Sequence, residues 1–259
     1  MNMTVLFHKE NGIGYLTLNR EESLNSMNYD MLCDLKDRMN AIHVDPDVKV
    51  LIVTGAGEKA FSAGADLKER KTLNESEVRR NVKAIQDMTN SLAELPMPTI
   101  AAVNGYCFGG GFELMLACDF KIAVSEAKLG LTETSWAIIP GAGGTQRLPR
   151  IVGEMKAKEL IFTAKKMSAS EALDLGILLK VVEKEKLNET CEQLASEILG
   201  NGPVAIQQAK YAISRGMSAD LQTGLAIEAK AYELTIPTKD RQEALRAFSE
   251  KRQPNFTGK

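Results

Sequence analysis

Histidine is nearly absent: His8 and His43 are the only two in 259 residues, and both lie near the start of the chain. A Ser-His-Asp triad or a multi-histidine metal site would therefore rest almost wholly on His43, which stands just before Asp45-Pro46. Proton transfer is expected to fall to carboxylates instead. Cysteine is sparse as well. Cys33, Cys107, Cys118 and Cys191 are scattered, with no C-x-x-C pair, which excludes a disulfide framework or zinc knuckle and fits reduced thiols in a cytoplasm. No run of 18 apolar residues and no cationic-then-apolar leader occurs, so neither a membrane span nor a signal peptide is expected. Nor is either charge in excess. The 32 Lys and Arg nearly balance the 34 Asp and Glu, and no block of five like charges is present. Nothing in that balance points to nucleic acid or to an anionic membrane.

What is present is strand-helix alternation. "TVLFH" (4–8) and "IGYLTLN" (13–19), separated by "ENG", predict a hairpin. Residues 28–44 space Met31, Leu32, Leu35, Met39 and Ile42 at helical intervals before "DPD". Buried strands follow at 48–55, 98–105 and 120–125, with helical patterning from about 75 to 95 between the first two. This order predicts an α/β core with parallel strands. "SASEALDLG" carries a capping box from Ser168 to Glu171. Beyond Lys186 the pattern is almost purely helical, with breaks at Gly200–Pro203, Gly216 and Pro237. The expected division is a layered α/β body at 1–200 and a helical part at 201–259.

The chemistry-bearing stretch is "CFGGGFELMLACDF" (107–120), three glycines and one glutamate among apolar residues. Glycines between strand and helix can point backbone N–H groups at a negative atom. A nucleotide fingerprint fails, because Leu114 stands where a third glycine belongs and Gly111 where a P-loop needs lysine. In "GAGGTQ" (141–146), Gln146 breaks the same pattern. Glu113 is a plain helix-dipole partner or, since Leu116 and Ala117 one turn on are apolar, a buried carboxylate with a raised pKa. In "KLGLTETSW" (128–136), an extended 129–133 would set Glu133 on the face of Leu129 and Leu131; an exposed turn glutamate is the other reading. "SAGADLKER" (62–70) reads as a strand-to-helix corner at which the Ala65 N–H could be free. With an N–H of the glycine loop it would make a two-donor oxyanion hole.

"FSAGADLKE", "NGYCFGGGFELMLACD", "IIPGAGGTQRLPR" and "AFSEKRQPNF", in this order and spacing, resemble the enoyl-CoA hydratase/isomerase (crotonase) family over essentially the whole chain. The resemblance implies a spiral of ββα turns and C-terminal helices that build trimers, usually paired into hexamers. It implies an oxyanion hole from the N–H groups of Ala65 and Gly110, and catalytic glutamates at Glu113 and Glu133. It also implies coenzyme A contacts at Ala63, Ala65 and Asp66, and at Phe248 and Lys251 toward a neighbouring subunit. The implied reaction is syn addition of water to a 2-enoyl-CoA, with no cofactor or metal beyond the coenzyme A of the substrate. Isomerisation, thioester hydrolysis and decarboxylation are the family's other reactions, and a single acid would suit an isomerase better than two. "AGADLKER", "GLTETSWAIIPGAGGTQRLPR", "TGLAIE" and "TIPTKDR" resemble most the 3-methylglutaconyl-CoA hydratase branch, which acts in leucine breakdown. Two departures stand out. Glu21 and Glu22 follow Asn19-Arg20 where many relatives carry proline and a basic residue near the coenzyme A phosphates, which shifts that contact to Lys251 and other cations. Some members of the branch bind RNA through a lysine-rich first helix; here Lys36 and Arg38 face Asp30, Asp34 and Asp37, so no nucleic-acid partner is expected.

Overall fold

Asn11 and Gly12 close the first hairpin, both at positive φ (50° and 84°), the geometry a two-residue turn needs to match the twist of its strands. They join β1 (Val5–Glu10) to β2 (Ile13–Leu18) in a computed structural model that describes residues 3–259. Helix α1 (Tyr29–His43) starts where the Asn28 side chain accepts from the Met31 N–H, and it buries the five apolar residues its periodicity predicts.

From β3 (Val50–Gly55) onward the chain winds as a spiral. The first turn continues through β4 (Ala60–Ser62), α2 (Leu67–Arg70) and α3 (Glu75–Ala93). The second runs through β5 (Thr99–Val103), β6 (Tyr106–Phe108) and α4 (Gly110–Ala117). The third runs through β7 (Phe120–Val124), β8 (Lys128–Gly130), α5 (Gly144–Val152) and α6 (Glu154–Phe162). Strands β9 (Met167–Ser168) and β10 (Lys180–Val182) flank α7 (Ala169–Asp174), whose Ser168–Glu171 capping box is formed. Each turn lays one strand in each of two sheets. The larger has the order β1-β2-β3-β5-β7-β10 and the smaller β4-β6-β8-β9. Strands β2, β3, β5, β7 and β10 pair in parallel, as do β4, β6 and β8. This is the α/β spiral of ββα units that the resemblance implies.

The helices that follow are α8 (Leu187–Leu199), α9 (Pro203–Gly216), α10 (Leu221–Glu233) and α11 (Lys239–Glu250). The chain forms two compact units. One holds the chain up to Leu95 with Thr99–Glu192, and the other holds Pro96–Pro98 with Gln193–Lys259. The division thus falls inside α8, ahead of the Gly200–Pro203 break. Within the second unit the Lys210 ammonium donates to the Met97 carbonyl at 2.9 Å.

The extended 129–133 segment is a correction. Strand β8 ends at Gly130, Thr132 turns to φ −102°, ψ 7°, and Glu133 opens a short 3-10 turn over Glu133–Trp136. Glu133 is nevertheless buried with Leu129 and Leu131, so alternation gave the right face for a reason that does not hold.

Candidate active site

The corner after β4 is built by hydrogen bonds that occupy the N–H groups on either side of Ala65. Ala63 N–H donates to the Leu24 carbonyl at 2.9 Å, and Asp66 N–H to that of Met27 at 3.0 Å. Gly64 N–H donates to the Ser62 hydroxyl at 3.2 Å, which itself donates to the Asn25 carbonyl. Among the described residues the Ala65 N–H has no acceptor. Gly64 holds φ +89°, and a Cβ there would lie 2.8 Å from the Phe108 carbonyl oxygen and 3.0 Å from the Gly110 nitrogen. Glycine at 64 therefore lets the two loops close on each other.

The second donor comes from the start of α4. Gly109 sits at φ 53°, ψ −126°, a conformation an L side chain rarely adopts, and turns the chain so that Gly110 begins the helix. The first N–H groups of a helix have no partner within it, and that of Gly110 has none among the described residues. A Cβ built on Gly110 would lie 3.8 Å from the Ala65 nitrogen, so the two free donors are neighbours. They are suited to hold one oxygen that gains negative charge.

Glu113 lies one turn further along α4 and is 2% exposed. Its Oε1 accepts from the N–H groups of Ala142 (2.7 Å) and Gly144 (2.8 Å). Here is the purpose of the "GAGG" run that fails as a nucleotide fingerprint: it bends the backbone until two donors point at one carboxylate oxygen. Arg147 pins that loop, its Nη1 donating to the Ala142 carbonyl at 2.9 Å and its Nη2 to Asn90 Oδ1 at 2.8 Å. Burial pushes the Glu113 carboxyl above its ordinary value. The N–H donors and the Arg147 charge pull against that rise.

Glu133 is 9% exposed, and its Oε2 is buried without a hydrogen-bond partner among the described residues. A Cβ on Gly109 would lie 3.3 Å from Glu133 Oε1, which sets this carboxyl against the glycine loop. Burial first, and the nearby Glu113 charge second, push its pKa up to about 7, while Arg70 pulls the other way. Glu133 is thus able to give and take a proton near neutral pH, and Glu113, also raised, keeps two donors on one oxygen that favour its ionised form.

A cleft of about 880 Å³ brings these groups together. Ala63, Ala65, Gly109, Gly110, Glu113 and Glu133 all line it. So do the cations Lys68, Arg70 and Lys71, and the apolar Trp136, Ile138 and Ile139. Asp66 does not line it. Its carboxylate caps α2 by accepting from the N–H groups of Lys68 and Glu69, and it pairs with Arg20 at 2.9 Å. Phe248 and Lys251 belong to the second unit; Phe248 is 85% exposed, and Lys251 ends α11 in the left-handed conformation. Sequence reasoning missed Ala142, Gly144, Arg147 and Arg70. The clue to the first three was a second glycine run with an arginine behind it; for Arg70 the quoted "ADLKER" held it in plain view.

The family model for enoyl-CoA hydratase/isomerase matches residues 8–259. The chain belongs to that family. Its relatives include the mitochondrial methylglutaconyl-CoA hydratase of Homo sapiens, 46% identical over 98% of this chain and 76% of that protein. The crotonyl-CoA hydratase of Syntrophomonas wolfei is 41% identical over 98% of both chains. The crystal structure of an enoyl-CoA hydratase from Bacillus anthracis matches 99% of this chain and 100% of its own, with a TM-score of 0.97 at 48% identity. The two-sheet spiral is thus the fold of this family.

Proposed function

We propose that the chain is an enoyl-CoA hydratase, a hydro-lyase that adds water across the C2–C3 double bond of a 2-enoyl-CoA. The observation that carries this reading is the pair of buried carboxyls in one cleft, one with two N–H donors on a single oxygen and one with an oxygen left unpartnered, beside two free N–H donors. Glu113 takes a proton from water as its oxygen attacks C3. The displaced electron pair moves to the thioester oxygen, where the N–H groups of Ala65 and Gly110 hold the developing enolate. The Glu133 proton then goes to C2, and the proton gained by Glu113 passes back to Glu133 before the next turnover. The burial of Glu113 and Glu133 strengthens each of these interactions.

The favoured substrate in this reading is 3-methylglutaconyl-CoA, an intermediate of leucine breakdown. The 46% identical methylglutaconyl-CoA hydratase and the cations on the cleft wall support it. The backbone at Ala63 and Ala65 would meet the coenzyme A portion, with Phe248 and Lys251 contributed from an adjoining subunit of a trimer or hexamer. Exposed apolar residues of the second unit, Leu221 (79%), Tyr232 (67%) and Phe248 (85%), support such an assembly. A cytoplasmic location goes with four cysteines that are all free thiols. The test follows the ultraviolet absorbance of the conjugated thioester, with crotonyl-CoA and 3-methylglutaconyl-CoA as substrates. Loss of absorbance with a 3-hydroxyacyl product supports hydration; an isomerised or hydrolysed product contradicts it.

A further inference from the structure

The oxyanion corner leans on a buried side chain that takes no part in the hydration chemistry. Leu24 and Asn25 both hold φ 53°. Asparagine tolerates that left-handed conformation, but leucine rarely adopts it, so neighbouring bonds must keep the pair there. Those bonds converge on Asn25, which is 0% exposed and does not line the cleft. Its Oδ1 accepts from the Arg20 N–H at 3.0 Å, and its own N–H donates to the Arg20 carbonyl at 2.9 Å. Its Nδ2 donates to the carbonyls of Ala56 at 2.9 Å and Ala60 at 2.8 Å. Gly55 makes room for this amide, since a Cβ there would lie 2.6 Å from Nδ2.

Backbone bonds join this brace to the corner after β4. The Leu24 carbonyl accepts from the Ala63 N–H, and the Asn25 carbonyl accepts from the Ser62 hydroxyl that receives the Gly64 N–H. Two residues on, Met27 and Ala65 form a parallel bridge. The Met27 N–H donates to the Gly64 carbonyl at 2.7 Å, and the Met27 carbonyl accepts from the Asp66 N–H at 3.0 Å. Such a bridge takes the groups that flank Ala65 and leaves the Ala65 N–H directed away from Met27.

We infer that Asn25 is a positioning residue for the oxyanion hole: through the backbone of 24–27 it fixes the direction of the Ala65 N–H. The inference rests on the hydratase reading, in which that N–H meets the thioester oxygen. A donor already aimed needs no reorientation as charge develops on the oxygen, and one free to swing loses that advantage. Two substitutions isolate the side chain. Asn25→Asp keeps its shape and its tolerance of φ 53°, but sets a carboxylate oxygen against the Ala56 and Ala60 carbonyls in place of two donors. Asn25→Gly adopts φ 53° freely and makes none of the side-chain bonds.

The experiment measures both variants beside the wild type, with circular dichroism to establish that each is folded. Butyryl-CoA labelled with carbon-13 at the thioester carbonyl has no double bond to hydrate, so its carbonyl stretch in difference infrared spectra reads the oxyanion donors directly. The expected result is a stretch that moves to lower wavenumber on binding the wild type and moves less in both variants. Their kcat for crotonyl-CoA should fall about 100-fold, the scale for a reacting group misplaced by about one ångström. A lower unfolding midpoint with the bound stretch unchanged makes Asn25 merely structural and overturns the assignment, leaving the hydratase reading intact. A wild type whose bound carbonyl does not shift overturns the oxyanion reading itself. Should neither variant fold, hydrogen exchange on the wild type decides: peptides covering 20–28 and 60–68 are expected to exchange together as one unit. Fast exchange in 20–28 beside protection in 60–68 overturns the brace.

Discussion

In the C-terminal unit Asp240 and Glu243 are buried but fully partnered. The Asp240 oxygens accept from the N–H groups of Thr257 (2.7 Å) and Gly258 (2.8 Å). Glu243 accepts from Arg252 at 2.6 Å, from Arg246, and from the Asn255 N–H at 3.1 Å. The arginines hold its carboxyl far below the ordinary glutamate range. In the spiral unit the two buried carboxyls of the cleft are starved of partners by comparison. Glu113 has donors on one oxygen, one oxygen of Glu133 has none, and both are pushed upward in pKa. Burial alone does not separate a structural carboxylate from a reactive one. The count of donors on each oxygen does: the partnered Glu243 is lowered, whereas Glu113 and Glu133, with oxygens left short of donors, are raised.

The strongest way to sharpen this contrast is to neutralise one member of each kind. Glu113→Gln and Glu133→Gln are each expected to lower kcat for crotonyl-CoA hydration about 10²–10⁴-fold, the range of a lost acid or base. Glu243→Gln should show itself in calorimetry instead, as a lower midpoint of thermal unfolding, because it leaves Arg252 and Arg246 without their shared partner.

The oxyanion corner comes next. Gly109→Ala would force a Cβ into φ 53°, ψ −126° and toward Glu133. Misplacing the Gly110 donor should lower kcat about 10²–10³-fold, read by the same absorbance assay with KM determined separately.

Stability against pH should run in opposite directions in the two units. The folded pKa of Glu133 lies above its unfolded value, so its contribution is favourable below the unfolded value near 4.5 and is lost as pH rises through about 7. Glu133→Gln is therefore expected to stabilise the protein at pH 8, by about 3 kcal/mol at most, and to leave it unchanged at pH 4. Glu243 is depressed when folded, so its contribution is present above the unfolded value and is lost as pH falls. The deficit of Glu243→Gln should accordingly shrink in acid. Denaturant melts at both pH values test the pair.

The smallest effect is expected at Arg147, which acts through Glu113 and its loop. Arg147→Met removes a charge that lowers the Glu113 pKa, so the acidic limb of the kcat profile should move to higher pH, with the plateau at high pH nearly unchanged. Arg147→Lys should bring the limb part of the way back.

These contrasts also mark what could be read from the residues alone. The larger sheet was legible because Val50–Val53 and Ile100–Val103 are unbroken apolar runs, and α1 because its five buried residues keep helical spacing. The smaller sheet was hidden: its strands are two or three residues long, too short for any alternation to repeat. Glu113 stood out because it interrupts a helix whose every residue is buried. Glu133 was placed on the right face by an extended run that the chain does not form. The donors from Ala142 and Gly144 were beyond reach, since a backbone N–H carries no side-chain signature and its target lies 29 and 31 residues away.

The protonation states of the two cleft carboxyls can be read directly by titrating protein labelled with carbon-13 at the glutamate carboxyls and following their chemical shifts by NMR. One resonance should titrate near pH 7 and vanish in Glu133→Gln, while the Glu113 resonance titrates above the ordinary glutamate range. If every glutamate titrates below pH 5, or the resonance near 7 survives Glu133→Gln, the division of proton donor and base between Glu133 and Glu113 is wrong.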